Sequence, residues 1–151
     1  MIITAQERLA QKSKVNICIF GESGAGKTTQ ARTLPPESTL FFDLEAGRLA
    51  VEGWGGDVLD AVDCAKSVGG HPWEITRALS CLIGGPDPAD VRNPKSNAEP
   101  GPYSQEMYEQ YCEAFAPHGI TPDALQKYSL LFVDSITKAS RWALQWAETQ
   151  P

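Results

Sequence analysis

A chain of 151 residues with 42% hydrophobic and 21% charged content suits one soluble globular domain with a core of its own. A formal net charge of -6 and a pI of about 4.9 exclude the overall basic face of an autonomous nucleic-acid binder, though not a local basic loop. A membrane span is excluded as well: the longest core-like runs, at 17–20 and 130–133, are four residues each, against the roughly 20 that a bilayer requires.

At the N-terminus, Thr4-Ala5-Gln6-Glu7 reads as a capping box that opens a short surface helix. Val15-Asn16-Ile17-Cys18-Ile19-Phe20 is rich in β-branched residues and ends at glycine, so a buried strand is expected there, with Cys18 as a buried thiol. A glycine loop follows over 21–26, then a helix over 27–34 that Pro35-Pro36 stops. Thr39-Leu40-Phe41-Phe42-Asp43 reads as a second buried strand. Strand, loop, helix and strand in this order predict an α/β fold with a parallel sheet.

Further on, residues 57–62 suggest a short edge strand, and 72–83 a helix with Ile75, Leu79 and Leu82 on one face. Residues 84–102 carry five prolines and three glycines, the composition of an exposed loop. Ser104 is placed to cap a helix reaching Phe115, and Thr121-Pro122 to start another. Leu130-Leu131-Phe132-Val133-Asp134 predicts a buried strand ending in a carboxylate. A last helix from Ile136 carries Ile136, Ala139, Ala143 and Ala147 in one stripe, with Trp142 and Trp146 as packing residues beside it. The domain is expected to be single, over 1–151, with an insertion at about 84–128.

Cys18, Cys64, Cys81 and Cys112 form no CxxC pair, and His71 and His118 are equally scattered, so no zinc spacing is present. A reduced, cytoplasmic protein is the expectation.

The strongest signal is Gly21-Glu22-Ser23-Gly24-Ala25-Gly26-Lys27-Thr28, which satisfies G-x-x-x-x-G-K-[ST], the Walker A loop, at every fixed position. Average residue frequencies give such a match by chance at roughly 4 in 100,000 start positions. Glycines let the main chain wrap closely, so that successive N–H groups face phosphate oxygens. Lys27 adds a full charge for the β- and γ-phosphates, and the Thr28 hydroxyl can ligate Mg²⁺. Thr29 is placed to reach the α-phosphate. In an open parallel sheet ligands sit at the carboxyl ends of the strands, so Asp43, Glu45 and Asp134 are expected at the phosphate-binding rim. Asp134 closes an apolar strand in the Walker B manner and is expected to support Mg²⁺; the alternative is a cap for the helix from Ile136.

Phe41-Phe42-Asp43-Leu44-Glu45-Ala46 resembles the strand-end D-x-E segment of RecA-type ATPases, and Phe132-Val133-Asp134-Ser135 resembles their Walker B segment. With the P-loop, these motifs fall in that family's order, and the chain is most similar to its phage and prophage members, which serve in DNA recombination and single-strand annealing. The resemblance implies a RecA-like sheet flanked by helices, with ATP and Mg²⁺ as ligands. It also implies that Lys27 and Thr28 hold phosphate and metal, that Asp134 supports the metal, and that Glu45 polarises the attacking water. Single-stranded DNA, phage recombination proteins and further copies of the chain are the partners it implies. RecA-type sheets insert one more strand between the P-loop strand and the Walker B strand, and only a helix-length of chain follows Asp134. The chain is therefore expected to be the N-terminal part of a longer protein, incomplete at its C-terminal end, with a gap between those two strands unless they pair directly. The DNA-contacting loops would lie in the part beyond Pro151.

Two rivals are weaker. Gly26-Lys27-Thr28-Thr29-Gln30 also resembles the loop of thymidylate-type nucleoside monophosphate kinases, yet residues 51–129 hold only Arg77 and Arg92 for the arginine-rich lid those enzymes need. A GTPase needs N-K-x-D, and Thr137-Lys138-Ala139-Ser140 lacks its aspartate. A nucleotide-gated scaffold that does not hydrolyse is the third reading.

Overall fold

The computed structural model describes residues 16–87 and 101–150; the capping box at 4–7 and most of the proline-rich stretch lie outside the described residues. Three parallel strands form the sheet, in the order β2 (Asp57–Asp60), β1 (Thr39–Asp43), β3 (Leu130–Asp134). This is the expected α/β architecture, a parallel sheet flanked by helices. All five residues of β1 are buried, because it is paired on both edges and covered on both faces, as its unbroken apolar run requires. Leu40 and Phe42 face the larger core, whereas Phe41 faces Ala31 and Val51 on the other side and stacks on Phe132 at 5.4 Å.

The larger core is closed by α1 (Ala61–Val68), α2 (Pro72–Gly84), α3 (Gln105–Phe115), the short α4 (Pro122–Leu125) and α5 (Ile136–Glu148). Local chemistry sets their starts. Asp60 caps α1 by accepting from the Val62 and Asp63 N–H groups; Ser104 caps α3, Thr121 caps α4 and Ser135 caps α5. For α2, His71 Nδ1 accepts from Trp73 N while the Glu74 carboxylate accepts from His71 N, a capping box with proline at the first turn. Ile75, Ala78, Leu79 and Leu82 then face inward, as their spacing predicts.

Expectations for four segments are corrected. Residues 16–20 form no strand and are exposed, Cys18 included; Ile17 is 83% and Phe20 87% accessible. They join no ladder, although the outer edge of β3 is open, and a five-residue segment without a ladder buries nothing that offsets fixing its backbone. β1 takes one edge of β3; among the described residues no strand takes the other, and residues 16–20 do not pair with it. The segment after the loop is a 3₁₀ helix, Thr28–Thr33, and Leu34, held extended before Pro35, ends it. β3 pairs on one edge only, leaving Leu130, Leu131 and Val133 exposed; of its five residues only Asp134 is buried. Along α5, Trp142 takes the inward position and Ile136 points to solvent. Ala139 still packs on the core, and Trp146 is covered by the Arg77 guanidinium at 4.5 Å.

Candidate functional site

The end of the glycine loop, at Lys27 and Thr28, meets the carboxyl end of β3. Gly24 and Gly26 have φ of 79° and 82°, which only glycine adopts without strain, so two of the motif's glycines are required by the backbone. Gly21, Glu22, Ser23, Gly24 and Ala25 are exposed, as is Thr29; Gly26, Lys27 and Thr28 are half-buried. The loop is tied down by packing behind it: Ala31, one turn further on, is fully buried against Phe41 and Val51. Lys27 folds back so that its Nζ donates to the carbonyls of Gly21 at 2.9 Å and Glu22 at 2.7 Å.

Thr28 Oγ1 donates to Asp134 Oδ2 at 2.8 Å, joining the loop to the strand-end carboxylate across 106 residues of sequence. The end of β1 is locked to β3 at the same level, Leu44 N donating to Asp134 O at 2.6 Å. Asp134 does not cap α5; Ser135 does, accepting from Lys138 N. Burial pushes the Asp134 carboxyl above the usual carboxylate range. The Thr28 hydroxyl opposes that shift, the charges of Glu45 and Asp43 add to it, and Lys27 again opposes it.

Asp43 is fully buried, with Oδ1 accepting from the N–H groups of Glu45 at 2.9 Å and Gly47 at 3.0 Å and Oδ2 without a partner. The Glu45 carboxylate is exposed and accepts a short hydrogen bond from the Ser135 hydroxyl. Gly47 closes the cluster: a Cβ there would stand 3.0 Å from Asp134 Oδ2 and 3.6 Å from Thr28 Cγ2, so a side chain would push Thr28 and Asp134 apart. Asp43, Glu45, Asp134, Thr28 and Lys27 are thus brought to one rim. Sequence reasoning missed Ser135, Gly47 and Arg48. The last bridges Asp60 at 2.6 Å and Asp63, and these two partners raise its pKa. A serine directly after the Walker B aspartate and a glycine two after Glu45 were the available signals.

The donors beside the loop are the Thr28 hydroxyl and the Asp134 carboxylate. This is the hard-oxygen chemistry that suits Mg²⁺. Among the described residues no group of three or more His, Cys, Asp or Glu could hold a metal ion by itself. No helix among the described residues is long and apolar enough to cross a membrane.

No curated protein and no solved structure matches the chain. A family model described as an AAA domain matches residues 13–151, from just before the apolar segment that leads into the glycine loop to the last residue. With the P-loop joined to the carboxyl end of a parallel strand and that match across most of its length, the chain belongs to the AAA domain family of P-loop ATPases, and its substrate is a nucleotide.

Proposed function

We propose that the chain is a Mg²⁺-dependent ATPase of phage type that couples ATP binding and hydrolysis to DNA recombination or annealing. What supports the Mg²⁺-dependent part is the Thr28–Asp134 hydrogen bond, which joins a hydroxyl next to the glycine loop to a strand-end carboxylate. In this reading Lys27 exchanges its two loop carbonyls for phosphate oxygens, and main-chain N–H groups of residues 21–29 cradle the rest. Thr28 holds Mg²⁺ and Asp134 orients that hydroxyl; the ion's chemistry is to neutralise charge on the phosphates. Glu45 polarises the attacking water, its carboxylate held by Ser135 until substrate arrives. The work on DNA rests on the resemblance of the D-x-E and Walker B segments to phage recombination ATPases. Single-stranded DNA, recombination proteins and a homo-oligomer are its proposed partners, and a reduced cytoplasm its setting.

Phosphate release from Mg·ATP by the purified protein, with and without single-stranded DNA, tests both parts. Turnover that disappears in Glu45→Gln while ATP binding persists is expected, as is stimulation by DNA. Transfer of phosphate to a nucleoside monophosphate would replace the reading with a kinase. Binding without turnover in the intact protein would replace it with a nucleotide-gated scaffold.

A further inference from the structure

Asp43 is an unusual residue to bury completely. One carboxylate oxygen has no partner, and neighbouring Asp134 and Glu45 carry like charge. A carboxylate so placed is a poor choice for stability alone, since an unsatisfied buried oxygen loses its hydration and receives nothing in return. What the other oxygen does is specific. Oδ1 accepts from the N–H groups of Glu45 and Gly47, the two residues that flank Ala46. Ala46 has φ 60° and is the one residue other than glycine with a positive φ among the described residues. Such a conformation in alanine persists where the surroundings hold it. The far end of the turn is held too, by Arg48 on Asp60 and Asp63. The turn is therefore clamped at both ends, and its exposed product is the Glu45 carboxylate facing Ser135.

We propose that Asp43 is a positioning residue. Its carboxylate clamps the turn around Ala46 and so aims Glu45 at the phosphate rim, without itself touching nucleotide. This rests on the reading above, in which Glu45 activates water.

ATP turnover and the affinity for a fluorescent ATP analogue with Mg²⁺ are measured for Asp43→Ala, Asp43→Asn, Glu45→Gln and the Asp43→Ala/Glu45→Gln double variant, with thermal unfolding of each. Asp43→Ala should lower kcat about 10-fold or more while analogue affinity and KM stay within about 3-fold, the signature of an interaction that matters only in the transition state. Asp43→Asn keeps an oxygen for both N–H groups and should stay within about 3-fold of the parent kcat. The double variant should be no slower than Glu45→Gln alone, since both changes disable one unit. A normal Asp43→Ala beside an impaired Glu45→Gln overturns the positioning role, and so does an additive loss in the double variant. If Asp43→Ala does not fold, Asp43→Asn decides: a 10-fold or larger loss of kcat would mean that the charge and not the clamp is needed. Full turnover in Glu45→Gln removes the underlying reading, whatever Asp43 does.

Discussion

Thr28 Oγ1 and Asp134 Oδ2 lie 2.8 Å apart, so the glycine loop proposed to hold phosphate and the strand that ends in a carboxylate meet through one hydrogen bond. A residue that orients a metal ligand acts on metal affinity before it acts on nucleotide affinity. Asp134→Asn should therefore raise the Mg²⁺ concentration for half-maximal turnover about 10- to 100-fold, the usual effect of losing a ligand's supporting partner. A Mg²⁺ titration at saturating ATP measures it, and an unchanged midpoint would remove Asp134 from the metal site.

Lys27 supplies the one full positive charge of the loop motif. Lys27→Ala should weaken ATP binding by about 100-fold or more, on the scale of a charge-assisted phosphate contact in a partly shielded loop. Calorimetric titration with ATP reads this directly, and retained affinity would show that phosphate is held elsewhere.

Leu79 is fully buried in α2 at the centre of the larger core. Leu79→Ala should cost about 2–5 kcal/mol, the range for a truncated core leucine. Denaturant unfolding measures the loss, and a change under about 1 kcal/mol would place Leu79 outside the core that carries stability.

The sheet edge carries a pH-sensitive pair. Lys127 donates to Asp57 at 2.8 Å and the Tyr128 hydroxyl does so at 2.6 Å. These two bonds, Lys127 first, hold the Asp57 carboxyl below its ordinary range, and Lys127 is raised in turn. A carboxyl depressed by folding stabilises the native state above its unfolded pKa, and that contribution fades as pH falls through the folded value. Thermal unfolding between pH 7 and 3 should thus show a shallower acid decline for Asp57→Asn than for the parent. Because the pair is exposed, the difference should shrink in high salt. Identical acid limbs would mean that the pair contributes nothing.

How far the fold was legible depended on how local its causes are. The Ser104 and Thr121 caps and the apolar face of α2 are decided within a few residues, and each is found as read. β1 was legible because Leu-Phe-Phe suits a strand covered on both faces. The apolar runs at 17–20 and 130–133 look alike in sequence, yet neither is buried as a unit, because burial depends on which neighbours a strand finds. Within the site, the strand-end positions of Asp43 and Asp134 could be anticipated. The bonds from Asp43 to the turn and from Ser135 to Glu45 could not: the first reflects the left-handed backbone at Ala46, and the second joins residues 90 apart.

The hold of Lys27 on the carbonyls of Gly21 and Glu22 has a consequence for how ligand enters. The ammonium group bridges the start of the loop to its end and so ties the two together. On the proposed reading, a phosphate arriving there meets a loop already tied at both ends and competes with two neutral oxygens for one cation. Preorganisation of this kind lowers the entropy lost on binding. It also explains why arginine would be a poor substitute: a planar fork that prefers to engage oxygens in pairs cannot turn as a compact ammonium does from the loop's own carbonyls to an incoming phosphate.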